Sequence, residues 1–475
     1  STPSLVPSLG EDLDAFHVRN TYAQLEVSGV KGDGYEEGVE RTRAARTRVA
    51  SANSQVLADA AVADENEKKR ELDPKEIQIL SSLDRYGFFT VPSHDRLFSM
   101  PSQPFLKPLP FSPSAAASAG PPSPSAPSSP TPSASGNVSA SPRTLSALPP
   151  VITPGKENAR IAKWGRMLIP HERDEGGNVQ AWRIRPSKVN KLRRRTYKGI
   201  PDRWRAAAWE VLMTAYSSGG GVREVRQTER EYRDNLEKPS SYDIQIDLDV
   251  PRTISGHIMF RTRYGAGQRS LFHVLHAFSL RCETCGYVQG MGPITSTLLS
   301  YMSPSLAYTS LVRLHDAYSL HTVFSPGFPG LLEAIYVQER LTQVAMPGVY
   351  AAFQKNMIST TSYATKWYIT LFANSVPFQT QLRLWDVFLL EGYDIYIAVA
   401  VAIVWVYRDH ITSAAANFET VLSLLSGFFV PEDENVLLGW LEKMLGDKRI
   451  RSAMRGWRME WRELVRQGKE GTALL

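Results

Sequence analysis

Apolar residues recur at helical spacing through most of the chain after residue 159. Trp204, Ala208, Val211, Leu212 and Ala215 keep a period of about 3.6 residues, and they begin just after Pro201-Asp202, a pairing suited to a helix N-terminus. Leu271, Val274, Leu275 and Phe278 repeat that spacing, as do Leu331, Leu332, Ile335 and Leu341. No alternating run of useful strand length lies between turn signals, so the pattern predicts an all-α fold with no internal repeat. One stretch of thirteen residues, 395–407, is built of Ile, Tyr, Ala, Val and Trp and is closed by Arg408-Asp409-His410. A membrane span takes about 20 such residues, so this stretch reads as a buried helix.

The first third of the chain is patterned differently. Residues 1–35 mix Gly, Ser, Pro and charge without a clear period and are expected to be flexible. Residues 36–72 are rich in Ala, Glu, Arg and Lys with few large apolar side chains, which predicts a polar helix weak on its own. Within 74–111, Ile77, Ile79, Leu80, Leu83, Tyr86, Phe88 and Phe89 cluster, and a segment so apolar is expected to dock on the helical domain. Residues 112–158 are Ser/Pro/Ala-rich and are expected to be a disordered linker, because they bury too little apolar surface to offset ordering entropy. That linker carries Ser-Pro or Thr-Pro pairs at Ser112, Ser123, Ser129, Thr131, Ser141 and Thr153, open both to proline-directed phosphorylation and to a bare spacer role. The expected organisation is therefore an N-terminal region (1–73), a docking segment (74–111), the linker (112–158), a helical domain (159–447) and a C-terminal helix (448–475).

Composition adds three constraints. A chain of 475 residues with 43% hydrophobic positions and ten Trp has ample material for one large core. Two cysteines argue against a disulfide-built secreted protein and favour a reducing, cytoplasmic setting. The chain opens on Ser1 rather than Met, so a lost leader is left open. The net charge of +6 is concentrated: 183–198 carries eight basic residues and no acidic one, and 448–469 carries eight basic and two acidic. The remainder is net acidic, so the basic balance describes two patches and does not predict nucleic-acid binding.

Two short stretches carry candidate chemistry. Ile246-Asp247-Leu248-Asp249-Val250-Pro251-Arg252 and Tyr287-Val288-Gln289 lie 37 residues apart, counted from the arginine to the glutamine, both in territory expected to be helical. Proline fixes its own φ and pushes Val250 toward an extended shape, which suits a helix end presenting Arg252. Arginine offers a permanent planar charge to an oxygen-rich transition state, and a glutamine amide can both donate to and accept from an attacking water. Gly286, Gly290 and Gly292 around the glutamine would let a partner's backbone approach closely. Further motifs follow in order. They are Lys163-Trp164 with Met167-Leu168; Lys198-Gly199-Ile200-Pro201 with Arg205 and Trp209; Tyr363-Ala364-Thr365-Lys366-Trp367; Pro377; Arg383-Leu384-Trp385-Asp386; and Glu391-Gly392.

From Lys163 to about Phe429 this ordered set resembles the TBC domain, the catalytic module of Rab GTPase-activating proteins. Ile246, Asp249 and Arg252 fill its I-x-x-D-x-x-R motif, and Gly286, Tyr287, Gln289 and Gly290 fill the block around its Y-x-Q motif. The resemblance implies a dual-finger activator: Arg252 would enter the nucleotide site of a GTP-loaded Rab, and Gln289 would orient the hydrolytic water. Asp249 would hold the arginine in place and Tyr287 would buttress the glutamine. It implies no cofactor of its own, since GTP and magnesium belong to the partner, and no Walker-type phosphate loop occurs in the chain. It also implies a role in vesicle trafficking, with no small-molecule substrate and no nucleic acid as partner. One departure is Gly292, where the family usually has Asn. The alternative from another class is a non-catalytic Rab-binding scaffold that keeps the fold. Gly199, Pro201, Arg205, Trp209, Arg383, Trp385 and Asp386 read as scaffold, with Arg383 and Asp386 also open to facing the partner.

Two other features have competing readings. His273-x-x-His276 followed by Cys282-x-x-Cys285 is a legitimate zinc ligand set. The histidines share a helix whose apolar face needs Leu275 and Phe278, however, and the chain would have to fold back over five residues, so ordinary packing and no metal are expected. In the C-terminal segment, Ile450, Met454, Trp457, Trp461 and Leu464 form a stripe beside Arg451, Arg455, Arg458, Arg462 and Arg466. Packing of that stripe on the helical domain is preferred, and contact with an anionic membrane, with peripheral localisation, is its second role.

Overall fold

The computed structural model describes residues 7–8, 10–30, 82–89, 154–217 and 221–475. Among them run eighteen α-helices and one two-stranded antiparallel hairpin, Leu168–Arg173 with Val179–Ile184. The all-α class therefore holds, with the hairpin as an addition. Its strands carry one buried position each, Leu168 and Ala181, so they lack the alternation that would reveal them in the sequence. No helix among the described residues is long and apolar enough to cross a membrane.

The apolar stretch at 395–407 lies inside helix Asp394–Ile411, whose residues from Ile395 to Val404 are all buried. It packs against helices Pro329–Ala345, Phe378–Glu391 and Glu434–Gly446, which cover it on several sides and explain why it is apolar all round. Across the core, Trp209, Trp385, Tyr368 and Phe278 are among the largest fully buried side chains.

A buried polar node ties the opening motif to the later one. Asp386 accepts hydrogen bonds from Trp209 Nε1 (2.7 Å), the Ile200 backbone N–H (3.0 Å), Arg205 Nε (3.2 Å) and Arg205 Nη2 (3.5 Å). Burial pushes the Asp386 carboxyl up, and these four donors pull the other way. Arg205 also donates to the Ile200 carbonyl (2.6 Å) and to Asp202. Arg383 donates to the Tyr197 carbonyl (2.9 Å) and to Asn435 (3.1 Å), and its side chain lies against Gly199. Trp385 donates to the Leu371 carbonyl (3.1 Å). Arg383 and Asp386 are both buried, so neither faces a partner in this structure; Gly199, Pro201, Arg205, Trp209 and Trp385 belong to the same scaffold.

Several expectations need correction. Residues 1–35 were expected to be flexible, yet Leu13–Ser28 is a helix capped by Asp12, whose side chain accepts from the Asp14 and Ala15 N–H groups. Its buried Tyr22 stacks on Phe272 and donates to Asp247 (2.8 Å). Its apolar residues, Phe16, Val18, Tyr22 and Leu25 among them, are spread around the helix with no single apolar face. No local period therefore announces an anchorage that rests on Tyr22, on Arg19 bonded to the Glu237 carbonyl (3.1 Å) and on Glu26 paired with Arg269 (2.8 Å). The linker expectation for 112–158 ends too late, because a helix begins at Pro154 and runs to Gly165, with proline in the first turn and Trp164 buried. Residues 31–81 and 90–153 lie outside the described residues, and with them the 36–72 helix, most of the docking segment and the Ser-Pro pairs.

Residues 82–89 sit on the helical domain. Phe88 packs on His257 and Phe378, Tyr86 packs on Phe378, and Arg85 pairs with Glu157 (2.9 Å) and Asp202 (2.6 Å). The C-terminal helix Lys448–Arg466 buries Ile450, Met454 and Trp461 and packs on helix Pro329–Ala345, with Trp461 against Tyr336. Arg451 pairs with Glu391 (2.5 Å), Arg458 with Asp394, and Arg462 with Glu333 (2.8 Å). Glu391 also receives Arg193 (2.7 Å), so one carboxylate bridges the two basic segments.

Candidate functional site

Helix Asp243–Thr253 turns two faces in opposite directions. Asp243, Ile246, Asp249 and Val250 are buried. Ile244, Leu248 and Arg252, each four residues apart, point outward, with Leu248 64% exposed and the Arg252 side chain 63% exposed. Pro251 stands in the last turn, where the missing N–H and the steric demand of its ring fall close to the helix end at Thr253. Arg252 is thus delivered to the surface at a helix terminus.

Gln289 was expected in helical territory. It lies instead in the irregular segment before helix Met291–Leu299, and it is exposed. Its carboxamide has no hydrogen-bond partner among the described residues. Gly286 adopts φ +52° and lies against the Tyr242 ring, so a side chain there would meet both a left-handed backbone and an aromatic wall. Gly290 is in close contact with Ile369, including that residue's backbone. Gly292 lies against Thr253, where a built Cβ would be 2.9 Å from Oγ1. All three glycines are buried, so they admit this chain's own Tyr242, Ile369 and Thr253. The expectation that they make room for a partner's backbone is corrected.

One carboxylate links the two segments. Asp249 is 2% exposed; one oxygen accepts from Arg252 Nη2 and the other from the Tyr287 hydroxyl at 2.8 Å. Burial first, then the Asp249 contact, pushes the Tyr287 hydroxyl well above its ordinary value, so it stays a donor at any physiological pH. Tyr287 is two residues from Gln289, and Gly292, three residues beyond it, touches Thr253, the neighbour of Arg252. Two independent contacts thereby draw the arginine-bearing helix end and the glutamine-bearing loop together. The result is a permanent cation and a free amide on one surface, both rooted in a rigid core.

The profile of the Rab-GTPase-TBC domain family matches residues 202–412, a stretch that holds both segments. A TBC domain-containing protein of Schizosaccharomyces pombe is 36% identical over 291 residues, 60% of this chain and 67% of that protein. The chain belongs to the TBC-domain family of Rab GTPase-activating proteins. Its TBC domain is also similar to the Rab GTPase-activating protein eat-17 of Caenorhabditis elegans, at 31% identity over 240 residues, 50% of this chain and 25% of that protein. The chain spans only about a quarter of the length of that worm relative. Among solved structures, the Ypt/Rab-GAP domain of Gyp1p aligns with a TM-score of 0.48 at 19% identity, covering 64% of this chain and 99% of that one.

Of the residues singled out in the sequence, Ile246 is buried on the helix that carries Arg252, Asp249 and Tyr287 form the link, and Gly286 and Gly290 shape the glutamine loop. Sequence reasoning missed Leu248 and Ile244 as the exposed apolar strip that leads along the helix to Arg252. The i, i+4, i+8 spacing of positions 244, 248 and 252 was the available signal. His273 and His276 do not approach the cysteines through their ring atoms. His276 bonds Asp243 and the Asn235 carbonyl (3.1 Å), and burial among aromatic rings pushes His273 down to about 4.

Proposed function

We propose that this chain accelerates GTP hydrolysis by a Rab-family GTPase in its GTP form, supplying Arg252 and Gln289 in trans. The single observation that carries the reading is the Asp249 carboxylate, buried and shared between Arg252 and Tyr287, which roots both outward-facing groups in one place. Arg252 would neutralise charge growing on the transferring phosphoryl oxygens, and Gln289 would align the attacking water. Leu248 and Ile244 give the docking helix an apolar surface beside the arginine. GTP and magnesium belong to the partner. The activity places the chain in vesicle trafficking, on the cytoplasmic side of a membrane that the partner occupies. In this reading the C-terminal helix serves the scaffold first, since its apolar stripe and several arginines are engaged within the chain; membrane contact is left to its remaining basic surface.

The test is phosphate release from a panel of GTP-loaded Rab proteins. At least one should be accelerated, and Arg252→Ala should lower that acceleration by about 10³-fold or more, the range known for arginine fingers. Gln289→Ala should lower it sharply as well. Stoichiometric binding without turnover across the whole panel would leave a non-catalytic Rab-binding scaffold instead.

A further inference from the structure

The two cysteines set aside as ordinary packing meet a different pair of histidines. Cys282 and Cys285 are joined by His315, near the end of helix Pro304–Ala317, and by His321, in the short helix Leu320–Phe324. One ligand atom from each residue lies within 4.8 Å of all the others. His315 Nε2 is 3.0 Å from His321 Nδ1, Cys285 Sγ is 3.5 Å from His315 Nε2 and 3.4 Å from His321 Nδ1, and Cys282 Sγ is 3.7 Å from His321 Nδ1. A tetrahedral zinc ion with bonds of about 2.3 Å to sulfur and about 2.0–2.1 Å to nitrogen needs edges of about 3.3 Å between nitrogens and about 3.6 Å between nitrogen and sulfur. The three nitrogen–sulfur separations straddle their edge, and the nitrogen–nitrogen separation of 3.0 Å is slightly short of its own, so only small side-chain shifts would be needed to seat an ion.

We propose that Cys282, Cys285, His315 and His321 form a structural zinc site. Two thiolates and two neutral imidazoles are the donor set that zinc favours, and four protein ligands leave no open position for catalysis. On binding, the two thiols release their protons to water and the two thiolate charges balance Zn²⁺; no oxidation is involved. The tautomer at His315 is already suited to it. Nδ1 of that ring faces Asp316 Oδ1 at 2.6 Å, and Asp316 is in turn held by Arg281 at 2.9 Å. A carboxylate on Nδ1–H leaves the Nε2 lone pair turned to the metal, the outer arrangement common around zinc-bound histidine. The chain turns tightly between the cysteines, with the Gly286 N–H bonded to the Cys282 carbonyl at 2.8 Å. Five residues separate the two histidines, and within them Ser319 takes a left-handed backbone that lets the short helix fold back.

The site bears on the loop that follows it. Cys285 is followed directly by Gly286, Tyr287, Val288 and Gln289. Zinc would tie the start of the glutamine segment to helices Pro304–Ala317 and Leu320–Phe324, holding it at Cys285 while Asp249 holds it at Tyr287. That consequence rests on the proposed role of Gln289; zinc binding itself does not.

The test measures zinc by mass spectrometry in the full chain, purified without chelator and without a metal-affinity tag. The expected result is about one zinc per chain, lost by tenfold or more in Cys285→Ser and in His315→Gln, and unchanged in His410→Gln, an exposed histidine outside the cluster. If the cysteine and histidine variants fail to fold, wild type reconstituted with Co²⁺ decides: thiolate-to-cobalt charge-transfer absorption supports the site. Wild type holding no zinc and giving no such absorption, zinc retained in both variants, or a Cys282–Cys285 disulfide in place of metal would each overturn it. Zinc content is read without any Rab, so a zinc-loaded chain that activates no Rab refutes the activator reading and leaves the metal site standing.

Discussion

Replacing Asp249 by asparagine tests the link between the Arg252 and Gln289 segments, the two proposed fingers, most directly. The side chain keeps its shape and loses its charge. In the wild type one oxygen takes the Tyr287 hydroxyl at 2.8 Å and the other takes the Arg252 guanidinium. An asparagine can still accept from one of them, but its NH₂ must then face the other donor. Hydrogen bonds to a charged group contribute about 1.5–3 kcal/mol, so weakening the buried Tyr287 bond should cost about 1–3 kcal/mol. The Arg252 side chain is 63% exposed, so its ion pair adds under about 1 kcal/mol. Stability in guanidinium titration should accordingly fall by about 1–3 kcal/mol. At about 1.4 kcal/mol per tenfold, the part of that energy spent on positioning should lower kcat/KM for the phosphate release that this chain stimulates in a Rab by about 10–100-fold. This is well short of the loss expected for Arg252→Ala. A variant within twofold of wild-type kcat/KM, despite measurable destabilisation, would refute the idea that this carboxylate positions the fingers. A stable variant as inactive as Arg252→Ala would refute it too, since Asp249 would then act in the chemistry itself. Tyr287→Phe combined with Asp249→Asn should cost less than the two changes summed, because they remove the same bond.

Three further outcomes follow from particular contacts. Leu248→Ala should raise the KM for the Rab by about tenfold with kcat nearly unchanged and stability within about 0.5 kcal/mol, because the side chain is exposed beside Arg252; an unaltered KM would remove that helix face from the docking surface. Gly286→Ala should destabilise by about 2–4 kcal/mol through its positive φ and the Tyr242 ring, with part of that loss restored in the double variant with Tyr242→Ala; absence of any recovery would reject the steric account. Burial raises the Glu210 carboxyl from its ordinary 4.5 to about 7, so in the folded chain it resists ionisation while the unfolded chain ionises freely. The resulting penalty is absent below about pH 4.5, grows as pH rises through that window and is complete above about pH 7. Glu210→Gln should therefore stabilise the protein by about 1–2 kcal/mol at pH 8, after discounting for partial exposure, and leave it unchanged at pH 4.5; equal gains at both pH values would show that the charge is not the cause.

Much of the helical domain was legible because its signals are local. Helix Asp202–Tyr216 begins where Pro201-Asp202 predicts, and the run at 395–407 is buried without a break from Ile395 to Val404. Arg205, Trp209, Arg383 and Asp386 were read as scaffold from residue type and spacing, and their donors and acceptors meet inside the core. The helix Leu13–Ser28 was not legible, since its order comes from distant contacts such as Tyr22 against Phe272, some 250 positions away, and its own apolar residues follow no helical period. The glycines misled for the same reason. A glycine announces that something approaches closely, and the sequence does not say whether the neighbour is a partner or the chain itself.

By itself the sequence determined the periodic helices of the domain and which chemistry is on hand: an outward arginine at a proline-marked helix end, a glutamine among glycines, two cysteines at metal-ligand spacing. Tertiary structure alone decided which of these groups share a place. Asp249 meets Tyr287 across 38 positions, and Cys285 meets His315 across 30 and His321 across 36 rather than the histidines just before it. The physical reason is that side-chain spacing along one helix follows from backbone geometry, whereas the meeting of two helices depends on how every other face of the chain is packed.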